Sequence, residues 1–65
     1  MIVRTILYNA RKSKDMTQRE VSEVLGISEI YYRKIEAGTR DGRNELWDNL
    51  EALFGIHQRK LRTNE

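Results

Sequence analysis

The apolar residues recur at a helical period, in stripes separated by short polar breaks. Val3, Ile6, Leu7 and Ala10 fall at i, i+3, i+4 and i+7, which places one apolar face on an α-helix over about residues 2–13. Lys14 and Asp15 interrupt the stripe. Thr17, followed three residues later by Glu20, forms a capping box in which hydroxyl and carboxylate each satisfy an orphan backbone N–H, with Met16 placed as a hydrophobic staple. Val21, Val24 and Leu25 supply the inner face of a second helix of about eight residues, ended by Gly26 because glycine enters the left-handed conformation without a steric penalty. After a turn of about three residues, Ser28 caps a third helix. Its inner positions are Tyr31 or Tyr32, together with Ile35, and Gly38 stops it.

Thr39, Arg40, Asp41, Gly42 and Arg43 read as a polar loop, and Asn44 is the next N-cap. Leu46, Trp47, Leu50, Leu53 and Phe54 give a fourth helix a broad apolar face, while Glu45, Asp48 and Glu51 turn towards water. Gly55 closes it. Ile56 and Leu61 can anchor a last short helix, within a run from 57 to 65 polar enough to fray. With no proline, internal repeat or linker-like segment, the pattern predicts an all-α fold, a compact bundle of four to five short helices forming one domain over residues 1–65.

Composition narrows what such a bundle can do. The 65 residues contain no cysteine and one histidine, so disulfides and structural metal are closed to it and stability must come from helix packing. Charged residues make up 34% and hydrophobic ones 38%, enough apolar material for a minimal core and too much for a disordered tail. Arg4 inside the first apolar stretch, with Arg11 and Lys12 soon after, argues against a signal peptide or membrane span, so a soluble protein is expected. Net charge is only +2, but Arg4, Arg11, Lys12 and Lys14 precede any acid, whereas Glu45, Asp48 and Glu51 lie together later. Such a two-sided distribution suits a polyanion. No paired carboxylates, Gly-rich phosphate loop or Ser/His/Asp pattern is found, and His57 has no metal-ligating companion. The expectation is a protein that is not an enzyme, with no cofactor, no metal and no small-molecule substrate.

The functional signal lies in the second and third helices. A short helix, a glycine turn and another short helix, with apolar residues at Val21, Leu25, Ile27 and Ile35, is the spacing that lets two helices cross steeply. One then projects and can enter a DNA major groove about 12 Å wide. An ordinary helical hairpin carries similar punctuation.

The segment MTQREVSEVLGISEIYYRKIEAGTR resembles the helix-turn-helix of the Xre and phage Cro/repressor family. Matches start at Arg11, run through Thr17, Gln18, Gly26, Ile27, Ser28, Ile35, Glu36 and Gly38, and continue to Leu50, Phe54 and Gly55. The resemblance implies a lambda-repressor-like fold with the helix-turn-helix at 17–37. It also implies a sequence-specific DNA-binding transcriptional regulator, a repressor, whose helix 28–37 reads the major groove, usually as a homodimer on a two-fold symmetric operator. A prokaryotic or phage-encoded, cytoplasmic protein follows from the same likeness. Ser22, Gly42 and Asn44 depart from the family's usual alanine, proline and apolar residue; Gly42 is expected to loosen the loop before helix four. Tyr32 replaces a smaller aliphatic residue, and its ring is expected at the core edge with the hydroxyl reaching water.

By resemblance the base-reading positions are Glu29, Ile30 and Lys34. Lys34 can donate to guanine, Glu29 can accept from cytosine or reject wrong sequences, and Ile30 can meet a thymine methyl. Phosphate contacts are expected at Thr17, Gln18 and Ser28, which stand at helix starts, and at Arg33, Arg40 and Arg43. Tyr31 can set its hydroxyl on a phosphate or be partly buried. Arg11 and Glu36 are implied as an intramolecular ion pair between helix one and the end of helix three. The competing function is a protein-interaction module on the same fold, such as an antitoxin or anti-repressor partner, motivated by Glu29, Ile30 and the two tyrosines.

Overall fold

A computed structural model describes residues 4–63; Val3 and the last two residues of the tail lie outside them. The described residues form α1 (Thr5–Ser13), α2 (Gln18–Leu25), α3 (Glu29–Ala37), α4 (Asn44–Phe54) and α5 (Gln58–Leu61). Helix α1 lies against α3 and α5, α2 against α3 and α4, and α4 against α5. The result measures 25 × 23 × 23 Å, so every helix is close to the centre.

Local chemistry sets the boundaries. Helix α2 starts on a complete capping box: the Glu20 N–H donates to Thr17 Oγ1 at 3.0 Å and the Thr17 N–H to Glu20 Oε1 at 2.8 Å. It stops at Gly26, whose φ of +72° lets its N–H turn back to helix carbonyls. The Ser28 hydroxyl then accepts the Tyr31 N–H at 3.1 Å and opens α3. Asp15, at φ +60°, takes the left-handed conformation after α1, which a short acidic side chain tolerates better than most residues. Helix α4 departs from the sequence expectation. Its N-cap is Arg43, with no side-chain cap, while Asn44 is already helical and its Oδ1 accepts from Arg62 at 3.4 Å.

Leu7, Val21, Tyr32, Ile35, Trp47, Leu50 and Leu61 are completely buried and form the centre of the core. Leu61 brings α5 into that core, which is how so short a helix is held. Two expectations, the inward place of Val24 and the edge place of Tyr32, are corrected. Val24 is 61% exposed, because Val21, Ser22 and Leu25 define the buried side of α2 and Val24 is turned about 100° from their mean direction. Tyr32 is not at the core edge but fully buried, and its hydroxyl reaches Glu36 at 2.8 Å, not water.

The loop between α3 and α4 is also tighter than expected. Gly42 has φ +76°, a conformation proline cannot adopt, and a Cβ there would stand 2.8 Å from Leu46 Cδ2 and 3.0 Å from Ile35 Cδ1. The indole N–H of Trp47 donates to the Asp41 carbonyl at 2.6 Å and draws the loop onto the core. Gly26, at φ +72°, has nothing within 4 Å of a built Cβ. Gly26→Ala is therefore expected to cost about 1–2 kcal/mol from backbone strain alone. Gly42→Ala adds overpacking of about 1–3 kcal/mol. Urea unfolding of the two variants checks the order, and equal losses would show that the loop yields.

Candidate nucleic-acid interface

The geometry of α3 follows from its buried residues. Tyr32, Ile35 and Glu36 face the core, and at 100° per residue the opposite meridian of the helix carries Ile30 and Lys34. Both are exposed, Ile30 to 68% despite its apolar side chain. Glu29 and Arg33 lie on one flank of this meridian and Tyr31 on the other.

Each flank opens into a cleft. The first, of about 350 Å³, lies between the start of α2 and the first half of α3, and its lining includes Lys12, Thr17, Gln18, Arg19, Glu29 and Arg33. The second, of about 470 Å³, runs along the α2–α3 turn and the start of α4, with Ile27, Tyr31, Arg43, Glu45 and Asn49 among its walls. The exposed ridge Ile30–Lys34 thus stands between two concave surfaces. Lys12, Lys34, Arg40 and Arg43 are exposed, and none of them forms an ion pair among the described residues.

Several side chains are already engaged. Arg33 donates to Glu29 at 2.7 Å, an exposed i,i+4 pair worth about 0.3–0.5 kcal/mol and so readily exchanged for a stronger anion. Thr17 and Ser28 use their side-chain oxygens as caps. The capping box takes the N–H groups of Thr17 and Glu20, leaving those of Gln18 and Arg19 at the positive end of α2. The Gln18 amide nitrogen donates to Glu36 at 3.1 Å, so this side chain is oriented from within.

Glu36 sits at the centre of the network that supports this surface. Only 4% exposed, it receives Arg11 through two hydrogen bonds of 2.8 and 3.0 Å, the Tyr32 hydroxyl and the Gln18 amide. Arg11 also donates to the Met16 carbonyl at 2.8 Å, fixing the link from α1 to α2. The hydrogen bond to Glu36 raises the Arg11 pKa above its ordinary value. Burial, then the adjacent Glu36 charge, raises that of Tyr32 strongly.

The cation distribution read from sequence needs correction. Of Arg4, Arg11, Lys12 and Lys14, the first and second are buried, at 2% and 6%, and only the lysines lie at the surface. Lys12 and Arg19, not expected at the interface from sequence, line the α2 cleft, and Arg19 pairs with Glu23 at 3.5 Å. The signal that could have found Arg19 is its place in the first turn of a capped helix.

A capped helix, a three-residue turn and a second helix with an outward ridge form a helix-turn-helix. A helix-turn-helix family model matches residues 7–59, which span most of α1, all of α2 to α4 and the start of α5. The chain belongs to this family, in its Xre and phage Cro-like branch. No curated protein and no solved structure matches it. The family is one of DNA-binding regulators, not typically of enzymes. Among the described residues no helix is long and apolar enough to cross a membrane.

The buried network carries a pH signature. In the unfolded chain Tyr32 titrates near its ordinary value of 10.0, whereas in the folded protein it holds its proton to higher pH. Above pH ~10 the unfolded state therefore binds fewer protons, and stability falls by about 1.4 kcal/mol per pH unit as pH rises towards the folded value. Tyr32→Phe should remove this component of the alkaline slope, while losing about 1.5–3 kcal/mol at neutral pH with the hydrogen bond to a charged group. Urea unfolding from neutral to alkaline pH tests both. Glu36→Ala should cost about 3–5 kcal/mol by stranding Arg11.

Proposed function

We propose that this protein is a sequence-specific transcriptional repressor which lays α3 in the major groove, as a homodimer on a two-fold symmetric DNA operator. The observation that carries this reading is the ridge of Ile30 and Lys34 opposite the core, standing between two clefts. A major groove has one phosphate strand on each side, so a helix inserted into it needs clefts for both strands. The first cleft offers the α2 N-terminus with Lys12, Gln18 and Arg19, and the second offers Tyr31 and Arg43.

Individual roles follow from position. Lys34 donates to guanine, and Ile30 packs on a thymine methyl one helical turn away. Glu29, paired with Arg33 in the free protein, either accepts from a cytosine amine or excludes bases that present an acceptor once Arg33 has left it. Arg33 moves from Glu29 to a phosphate when DNA is bound. Thr17 and Ser28 act through the helix starts they cap, and Arg40 and Arg43 reach the backbone from the loop. Repression follows by occluding a promoter, in the cytoplasm of a prokaryotic host. A two-fold pair of protomers is required because one nine-residue helix offers few base contacts by itself.

Selection of bound sequences from a random duplex pool should yield an inverted repeat with half-sites about 10 base pairs apart. Equal affinity for every duplex would refute sequence-specific repression. On the selected site, Lys34→Ala should cost about 1–3 kcal/mol and relax the preference at one base pair. Arg43→Ala should weaken all duplexes alike and reduce the salt slope by about 0.9 for each phosphate that Arg43 neutralises.

A further inference from the structure

Arg4, the N-cap of α1, is buried to 2% exposure. Its guanidinium serves three separate segments. Nε donates to the Arg62 carbonyl at 3.0 Å, and Nη1 donates to the carbonyls of Ile35 and of Arg40, the latter at 2.8 Å. Nη2 lies 3.5 Å from the Asp41 carboxylate, and the whole group stacks 5.0 Å from the centre of the Trp47 ring. The Arg62 guanidinium also lies over that ring, at 5.4 Å.

Two residues of the polar loop are thus gripped from inside the protein. Arg4 takes the Arg40 carbonyl and lies 3.5 Å from the largely exposed Asp41 carboxylate, while Trp47 takes the Asp41 carbonyl at 2.6 Å. The Arg40 N–H bonds to the Lys34 carbonyl at 3.3 Å, so the loop is also joined to the end of α3. The Arg40 side chain remains exposed and without an ion-pair partner among the described residues. A planar fork with several donors can hold such diverging acceptors at once, whereas a lysine ammonium is a single point.

We propose that Arg4 is a positioning residue for DNA binding, which itself touches no DNA but holds the loop so that Arg40 meets a backbone phosphate. This role rests on the DNA-binding reading above and extends it to a buried side chain at the N-cap of α1. It ties the phosphate-facing loop to the Arg62 carbonyl at the end of α5, so the loop's position depends on the last helix being docked.

The test is a double-mutant cycle on a fluorescein-labelled duplex of mixed sequence, about 20 base pairs long. Affinity is measured as a function of salt for the intact chain, Arg40→Ala, Arg4→Lys and the double variant. Arg40→Ala is expected to reduce the slope of log K against log salt by about 0.9 per protomer bound. Arg4→Lys should reproduce most of that reduction although it keeps the charge, and Arg40→Ala should add little in its background. Backbone ¹⁵N relaxation should show faster motion at residues 39–43 in Arg4→Lys, with α2 and the first turn of α3 unchanged.

A wild-type slope in Arg4→Lys, full additivity of the two changes, or an unaltered loop would overturn the proposal. So would an Arg40→Ala variant that binds like the intact chain. If Arg4→Lys fails to fold, Asp41→Asn, at an exposed site, takes its place: a reduced slope with faster loop motion would support the grip, and wild-type values of both would count against it. Failure of the intact chain to bind any duplex would instead remove the DNA-binding reading, a separate result.

Discussion

A single buried carboxylate governs the geometry of this small protein. Glu36 draws donors from α1, α2 and its own helix, through Arg11, Gln18 and Tyr32. Apolar contacts among Leu7, Val21 and Ile35 favour close packing but tolerate sliding, whereas hydrogen bonds are directional and admit few arrangements. An ion pair of this kind adds little net stability compared with apolar packing. Its larger effect here is registry: the end of α3 and the start of α2 are set relative to each other by the same carboxylate.

The ridge of α3 and the clefts beside it inherit their shape from that registry. Ile30 and Lys34 point outward because Tyr32, Ile35 and Glu36 are held inward, and Gln18, tethered to Glu36, lines the cleft beside α2. A second anchor, the Arg4 and Trp47 pair, supports the α3–α4 loop from below. Two of the chain's arginines therefore lie in the interior. The surface potential rests on fewer cations than the composition suggests.

Much of the architecture could be read from residue order, for local reasons. The Thr17–Glu20 box and the glycines at 26, 38 and 55 act within one turn of their own position, so the ends of α2, α3 and α4 could be inferred without knowing the rest of the fold. The start of α4 could not, because Asn44 turns to Arg62, eighteen residues away. Val24 misleads because an apolar residue beside a stripe looks like part of it until the small buried Ser22 shows where a neighbouring helix approaches.

What the linear chain determined by itself was the succession of helices, the outward ridge on α3 and, through its pattern of matches, the family. What only the tertiary structure decided was the fate of the charged and polar side chains. Arg4 and Tyr32 look like surface or rim residues in one dimension, yet each finds partners supplied by the folded arrangement around it, whereas the Arg11–Glu36 pair is already implied by the family resemblance. The physical reason is that apolar burial has a period that sequence displays, while a buried polar group is stable only where particular partners converge, and convergence is a property of the folded chain.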